Sequence, residues 1–240
     1  MQLRQPIESS REVPLLLLGG TLCDTRLWDA QRAALGAGCG VGDLTGSATI
    51  ADLAAQLLAA APPRFALVGL SFGGIVALEI VRRAPERVVR LALLDTTARA
   101  PSQAQLRLWQ ELACAAETAN MRDLVRSRLL PGLLSAIGQA DAALVERVCA
   151  MAEATGAGAY RRQLAALATR QDSRPWLAQI ACPTLVLAGE HDALCPVELH
   201  REIAAAIPGA ELAIVPSCGH LSPLEAPDAV SAALRRWHAR

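Results

Sequence analysis

The chain reads as an α/β protein: a mostly parallel sheet of about six strands, with helices on both faces and a helical lid inserted into the chain. Three observations predict this. Short β-rich apolar runs alternate with longer segments of helical period; a stretch over 99–175 interrupts that alternation; and no apolar run is long enough to cross a membrane. At 240 residues, 52% of them hydrophobic, the chain can bury one substantial core.

Taken in order, the first strand is expected over Pro14–Leu18, followed by Gly19-Gly20 and a helix over roughly 25–36. A weak strand over Gly40–Leu44 precedes a helix over 49–61, where Thr49 and Asp52 resemble a capping pair. Phe65–Leu70 is a strongly apolar strand, and the helix after it, 72–84, is closed by Pro85. The next strand is Arg90–Asp95. From Arg99 to Pro175, alanine, leucine and arginine recur at helical spacing with no strand-like run. Strands lie on both sides of this segment, so the sheet pauses and resumes, and the insertion is expected to sit over one end of it. The alternation returns with strand Thr184–Gly189, helix 197–207 closed by Pro208, strand Glu211–Pro216 and helix 224–238. The expected organisation is a core of 1–98 and 176–240 with a lid over 99–175.

Composition excludes several classes of function. All 23 basic residues are arginine, so a Schiff-base lysine and pyridoxal phosphate attachment are impossible. Basic and acidic residues balance at 23 each without long runs, which leaves no electrostatic footprint for nucleic acid or a membrane surface and favours small-molecule partners. The amino terminus is polar, and Leu15–Leu18 is too short for a signal-peptide core, so a cytoplasmic location is expected. Seven widely spaced cysteines, with no C-x-x-C pair, suggest neither a disulfide framework nor a zinc site. Nothing in the sequence fixes the oligomeric state.

The chemistry centres on Gly69-Leu70-Ser71-Phe72-Gly73. This G-x-S-x-G sequence follows an apolar strand and precedes a helix, the setting in which a tight turn lifts a serine hydroxyl above a sheet edge. A glycine-rich turn of this kind can also bind phosphate, but the chain matches neither phosphate-loop pattern and has no lysine to reach a phosphate. A serine nucleophile needs a histidine base and an orienting carboxylate. Of four histidines, His238 and His200 lie within helices and read as solvated face residues. His191 and His220 lie in loops after strands, and His220, in "VPSCGHLSPLEAP", is the better base. Asp192, in "VLAGEHDALCP", occupies another strand-end loop and completes the chain order serine, acid, histidine. Asp95, at the end of "RLALLD", is the alternative acid; Glu190 and Asp24 are weaker candidates. For the oxyanion, one N–H donor is expected from Phe72 and the second from Thr21 in "LLLLGGTLCD", with Leu22 the alternative.

Together these motifs resemble the α/β-hydrolase superfamily, specifically its compact lidded esterase-like members. "GLSFGG" is similar to the nucleophile elbow, "PTLVLAGEHDALCP" to the acid loop, "CGHLSPLEAPDAV" to the histidine loop and "GGTLCDTRLWD" to the oxyanion loop. The match covers about 14–98 and 176–240, and no lid motif carries over. It implies Ser71, Asp192 and His220 as triad, with Thr21 and Phe72 as oxyanion donors. It also implies a serine hydrolase acting on a small carboxylic ester without cofactor or metal. Enol-lactonase, thioesterase, carbon–carbon bond hydrolase and acyltransferase activities share the triad, and a non-catalytic ligand-binding homologue is the reading from a different class. A nucleophilic serine argues against dehalogenases and epoxide hydrolases, which use aspartate there. The chain departs from the pattern where many relatives carry His-Gly: here Gly19-Gly20 leaves open what supports the oxyanion loop. Few residues precede the first strand, so the leading β-hairpin is expected to be missing, with edge protection left to Met1–Pro14 or a partner. Leu22, Trp109, Tyr160 and Leu221 are the candidate pocket residues; packing of the lid onto the core is the other role open to Trp109 and Tyr160.

Overall fold

The computed structural model describes residues 13–36 and 38–239. It contains six strands, β1 Leu15–Leu18, β2 Cys39–Gly42, β3 Phe65–Leu70, β4 Val88–Leu94, β5 Thr184–Gly189 and β6 Glu211–Val215. They form one parallel sheet in the order β2-β1-β3-β4-β5-β6. β3 and β5 are buried along their whole length, which is why each reads as a continuous apolar run rather than an alternation. The region before Val13, where the missing hairpin and the edge protection were expected, lies outside the described residues.

Between the strands run α1 Asp29–Leu35, α2 Ile50–Ala60 and α3 Phe72–Arg83. Thr49 accepts from the N–H of Asp52 and so caps α2. Leu15–Leu18 pair along their whole length with Cys39–Gly42 of β2 on one side and with Ala66–Gly69 of β3 on the other. The chain therefore leaves β1 in one direction and returns past it to β3. That reversal opens a crevice at the carboxyl ends of β1 and β3, where an open α/β sheet binds its ligand.

The segment after β4 is helical: α4 Gln103–Thr118, α5 Met121–Leu124, a π turn over Val125–Leu129, α6 Leu130–Leu133, α7 Ala136–Ala140 and the long α8 Ala142–Ala168. α8 is broken at Gly156, whose φ of 78° and ψ of 161° no helix accommodates. α9 Val197–Ala206, α10 Ser222–Glu225 and α11 Pro227–His238 complete the core.

Strand ends shift by one or two residues from the sequence expectation in several places, and two boundary differences have clear local causes. β4 ends at Leu94 because Asp95 takes a φ of 48°, which leaves the strand. The last helix is two pieces because Pro227 forces Ala226 out of helical geometry (φ −135°, ψ 58°). No helix among the described residues is long and apolar enough to cross a membrane.

Candidate active site

Four non-glycine residues take positive φ among the described residues, and each follows a strand: Leu22 after β1, Ser71 after β3, Asp95 after β4 and Ser217 after β6. Strain of this kind collects where side chains are held for chemistry. Ser71 has φ 54° and ψ −114° and begins α3 directly from β3. Its N–H donates to the Leu94 carbonyl (2.9 Å), and its own carbonyl accepts from Thr96 Oγ1 (2.8 Å), which ties the turn to the end of β4. The flanking glycines are steric necessities. A Cβ at Gly69 would collide with the Gly73 carbonyl, and one at Gly73 with the Leu18 carbonyl.

Ser71 Oγ donates to Nε2 of His220 at 2.8 Å, and Nδ1–H of His220 donates to Asp192 Oδ2 at 2.8 Å. The other Asp192 oxygen accepts from the backbone N–H groups of Leu194 (2.9 Å) and Cys195 (2.8 Å). That carboxylate is thus fixed in place, and it fixes the histidine tautomer so that Nε2 faces the serine. His220 and Asp192 are buried, while Ser71 is half-exposed towards a cavity. Burial alone would push the His220 pKa down. The charge and hydrogen bond of Asp192, with the charges of Asp95 and Glu225, outweigh it and hold His220 above its ordinary value.

The rival acid stands one layer behind. Asp95 is fully buried, accepts from the Gly189 N–H (2.8 Å) and from Ser222 Oγ, and makes no hydrogen bond to His220. Burial, then repulsion from Asp192, raises its pKa to about 7. Asp24 caps the turn at Thr25–Trp28 and pairs with Arg26, and Glu190 accepts from the Ser217 N–H; the carboxylate bonded to His220 is that of Asp192. His191 is exposed beside Glu190.

His200 corrects the sequence reading: it is buried, not solvated. Its Nε2 accepts from the Thr96 N–H (2.9 Å) and its Nδ1 faces the Pro196 carbonyl (3.3 Å). Burial pushes its pKa down to about 4, so it holds the loop after β4 as a neutral imidazole. His238 is half-buried beside Trp237 rather than freely solvated.

The loop after β1, where the oxyanion donors are expected, is held by a residue that the sequence reading did not single out. The N–H of Leu22 donates to Oε1 of Gln163 (3.0 Å), a buried side chain on the second half of α8, whose Nε2 in turn reaches the Leu44 carbonyl (3.4 Å). With Leu22 so engaged, Thr21 is the loop donor left over: among the described residues nothing accepts from its N–H. Phe72 is the first residue of α3, where a helix leaves its N–H unpaired, and the Gly73 N–H to Gly19 carbonyl bond (3.0 Å) holds the two loops together.

A cavity of about 330 Å³ opens over Ser71 and His220, and Leu22, Trp109, Tyr160 and Leu221 all line it. Leucines of α4, the π turn, α6 and α8 supply much of the apolar part of its remaining wall. A second cavity of about 380 Å³, on the other flank of Gly19-Gly20, includes neither Ser71 nor His220. Among the described residues, two side-chain groups converge closely enough to hold a cation by geometry, Asp192-Cys195-His220 and Asp95-Asp192-His200. The hydrogen bonds already described occupy their His220, His200 and Asp192 atoms, and burial followed by the nearby carboxylates holds the Cys195 thiol well above its ordinary pKa.

A parallel sheet with a strained serine at its switch point, hydrogen-bonded through histidine to an acid beneath helical cover, defines a protein of hydrolase architecture. Sequence comparison agrees: the chain belongs to the alpha/beta hydrolase family, whose profile matches residues 17–233. A pimeloyl-[acyl-carrier protein] methyl ester esterase of Nitrosospira multiformis is 30% identical over 200 residues, 78% of this chain and 73% of that protein. A thermophilic esterase of Thermogutta terrifontis superposes with a TM-score of 0.84 at 28% identity, covering 94% of this chain and 89% of that one. The enol-lactonase of Burkholderia xenovorans gives 0.84 at 26% identity, covering 95% and 92%.

Proposed function

We propose that this protein is a serine hydrolase that cleaves a small carboxylic ester. The observation that carries the reading is the unbroken line from Ser71 Oγ through His220 to Asp192, ending in a cavity lined mainly by apolar side chains. Ser71 attacks the ester carbonyl carbon and passes its proton to His220 Nε2. The negative charge that develops on the carbonyl oxygen is met by the N–H groups of Thr21 and Phe72. His220 then protonates the departing alcohol, and water, deprotonated by the same histidine, releases the acid from Ser71. Asp192 orients the ring and stabilises its charged form. Residues 99–175 act as the lid that excludes water and selects the substrate. The reaction runs without metal or cofactor. A cytoplasmic location belongs to the same proposal, and seven free cysteines support it.

A lactone is an ester whose ends are tied, so the same groups open it, and the fold shared with an enol-lactonase supports including lactones in the class. A fluorophosphonate probe tests the reading. Wild-type protein is expected to be labelled, and Ser71→Ala to lose both labelling and ester hydrolysis. Absence of labelling in the wild type sinks the proposal. A panel of esters, lactones and thioesters then ranks the leaving groups by kcat/KM.

A further inference from the structure

We infer that the substrate carries a carboxylate in addition to its ester, and that Arg170 receives it inside the site cavity. This builds on the ester-hydrolase reading and names the substrate class within it. Arg170 follows α8, lines the same cavity as Ser71 and His220, and is only 7% exposed. A guanidinium taken out of water is costly unless an anion or a full set of acceptors meets it. Here the protein supplies only part of that set. Nε donates to the Arg99 carbonyl (2.9 Å), Nη2 donates to Gln105 Oε1 (3.0 Å), and the guanidinium carbon lies over the Trp109 ring, 5.0 Å from its centroid. Among the described residues no carboxylate pairs with Arg170 and nothing accepts from its Nη1.

The rest of the cavity agrees. None of its lining residues is aspartate or glutamate, and a second arginine, Arg128 on the π turn, stands exposed at its edge without a carboxylate partner among the described residues. The lining therefore carries two positive charges and no negative one, in a chain whose formal net charge is zero.

Arg170 is also pre-set for recognition. The Arg99 carbonyl and Gln105 hold one edge of the guanidinium, and Trp109 holds its face. The Nη1 end is left for a ligand in the planar geometry that suits a carboxylate. Holding a long side chain in place beforehand removes most of the entropy cost of using it. A volume of about 330 Å³ fits a small molecule of this kind, such as the monoester of a short dicarboxylic acid.

Two pairs of near-isosteric substrates test the inference, differing in which side of the ester bears the charge: monomethyl glutarate against methyl pentanoate, and 4-acetoxybutanoate against butyl acetate. In at least one pair, wild-type kcat/KM is expected to favour the charged ester by about tenfold or more. Arg170→Gln should bring that ratio to about one, and Arg170→Lys, which keeps the charge but not the fork, should leave it in between. Loosening of the lid by either variant lowers both members of a pair and cancels in the ratio. Equal ratios in wild type and Arg170→Gln overturn the inference while leaving the hydrolase reading intact. If none of the four esters turns over, the fluorophosphonate probe decides the hydrolase reading separately, and calorimetric titration of Ser71→Ala with glutarate decides the site. Binding that Arg170→Gln abolishes supports it, and no binding overturns it.

Discussion

At the scale of the residue, the proposed base must be neutral to take the proton of Ser71. His220 titrates above its ordinary value of 6.5, so ester hydrolysis is expected to fall as pH drops through a point above 6.5. The acid limb of a kcat/KM profile measures that point. Asp192→Asn removes the largest contribution that raises it, so the residual limb should move to lower pH while the rate falls about a thousandfold or more. Movement of the limb with Asp95→Asn and not with Asp192→Asn would reassign the orienting acid. Asp95 itself leaves a signature in stability. Its folded pKa of about 7 exceeds the ordinary carboxylate value of 3.8, so the native state binds more protons than the unfolded chain between those two points. Wild-type stability is therefore lost progressively as pH rises from about 4 to 7. Asp95→Asn lacks this loss, and its melting temperature relative to wild type should rise from pH 5 to pH 8.

At the scale of the element, the turn between β3 and α3 is built on backbone contact. Gly73→Ala drives a methyl group into the Leu18 carbonyl, which should cost about 3 kcal/mol in denaturant unfolding. α8 acts at a distance. Gln163→Leu leaves the N–H of Leu22 and the carbonyl of Leu44 without their partner while conserving bulk in the helix. If Gln163 holds the oxyanion loop, kcat falls about tenfold or more with KM little changed; a change in KM alone would assign the residue to substrate binding.

Why the sequence reveals some of these residues and not others follows from how local their signals are. Ser71, Asp192 and His220 each sit in a short loop directly after an apolar strand, so residue type and position coincide within a few residues of chain. Gln163 sits in an alanine-rich helix that offers nothing to separate it from Gln105 or Gln139. Its role appears only once the break at Gly156 aims the second half of α8 at the loop after β1. Arg170 is hidden in the same way, since its meaning lies in a missing carboxylate that only the folded cavity exposes. His200 carries a usable signal that a solvated reading overlooks: with Ile203 and Ile207 it forms a buried stripe at helical spacing.

For the whole molecule, the fold sorts the seven cysteines by access. Cys114 is exposed, Cys23, Cys39 and Cys182 are half-buried, and Cys149, Cys195 and Cys218 are buried. Burial also pushes the Cys23 thiol up to about 12 and raises Cys182, Cys195 and Cys218, so few thiolates are available at neutral pH. A thiol reagent should find one fast-reacting group in the native protein and seven in denaturant. Fast reaction of Cys195, which lines the site cavity, would mean that the cover opens readily.

The helical cover is fastened to both halves of the site. Glu225 accepts from the N–H groups of Gly219, beside His220, and of Ser135 before α7; Leu221 N–H donates to the Leu133 carbonyl; and Gln163 grips the loop after β1. Lifting the second half of α8 breaks the Gln163 bond in the same movement. The loop that presents Thr21 then loses its prop while the cavity stands open to water. If the cover does lift, it would act as an interlock: the groups proposed to stabilise a transition state would be assembled only while the chamber is shut.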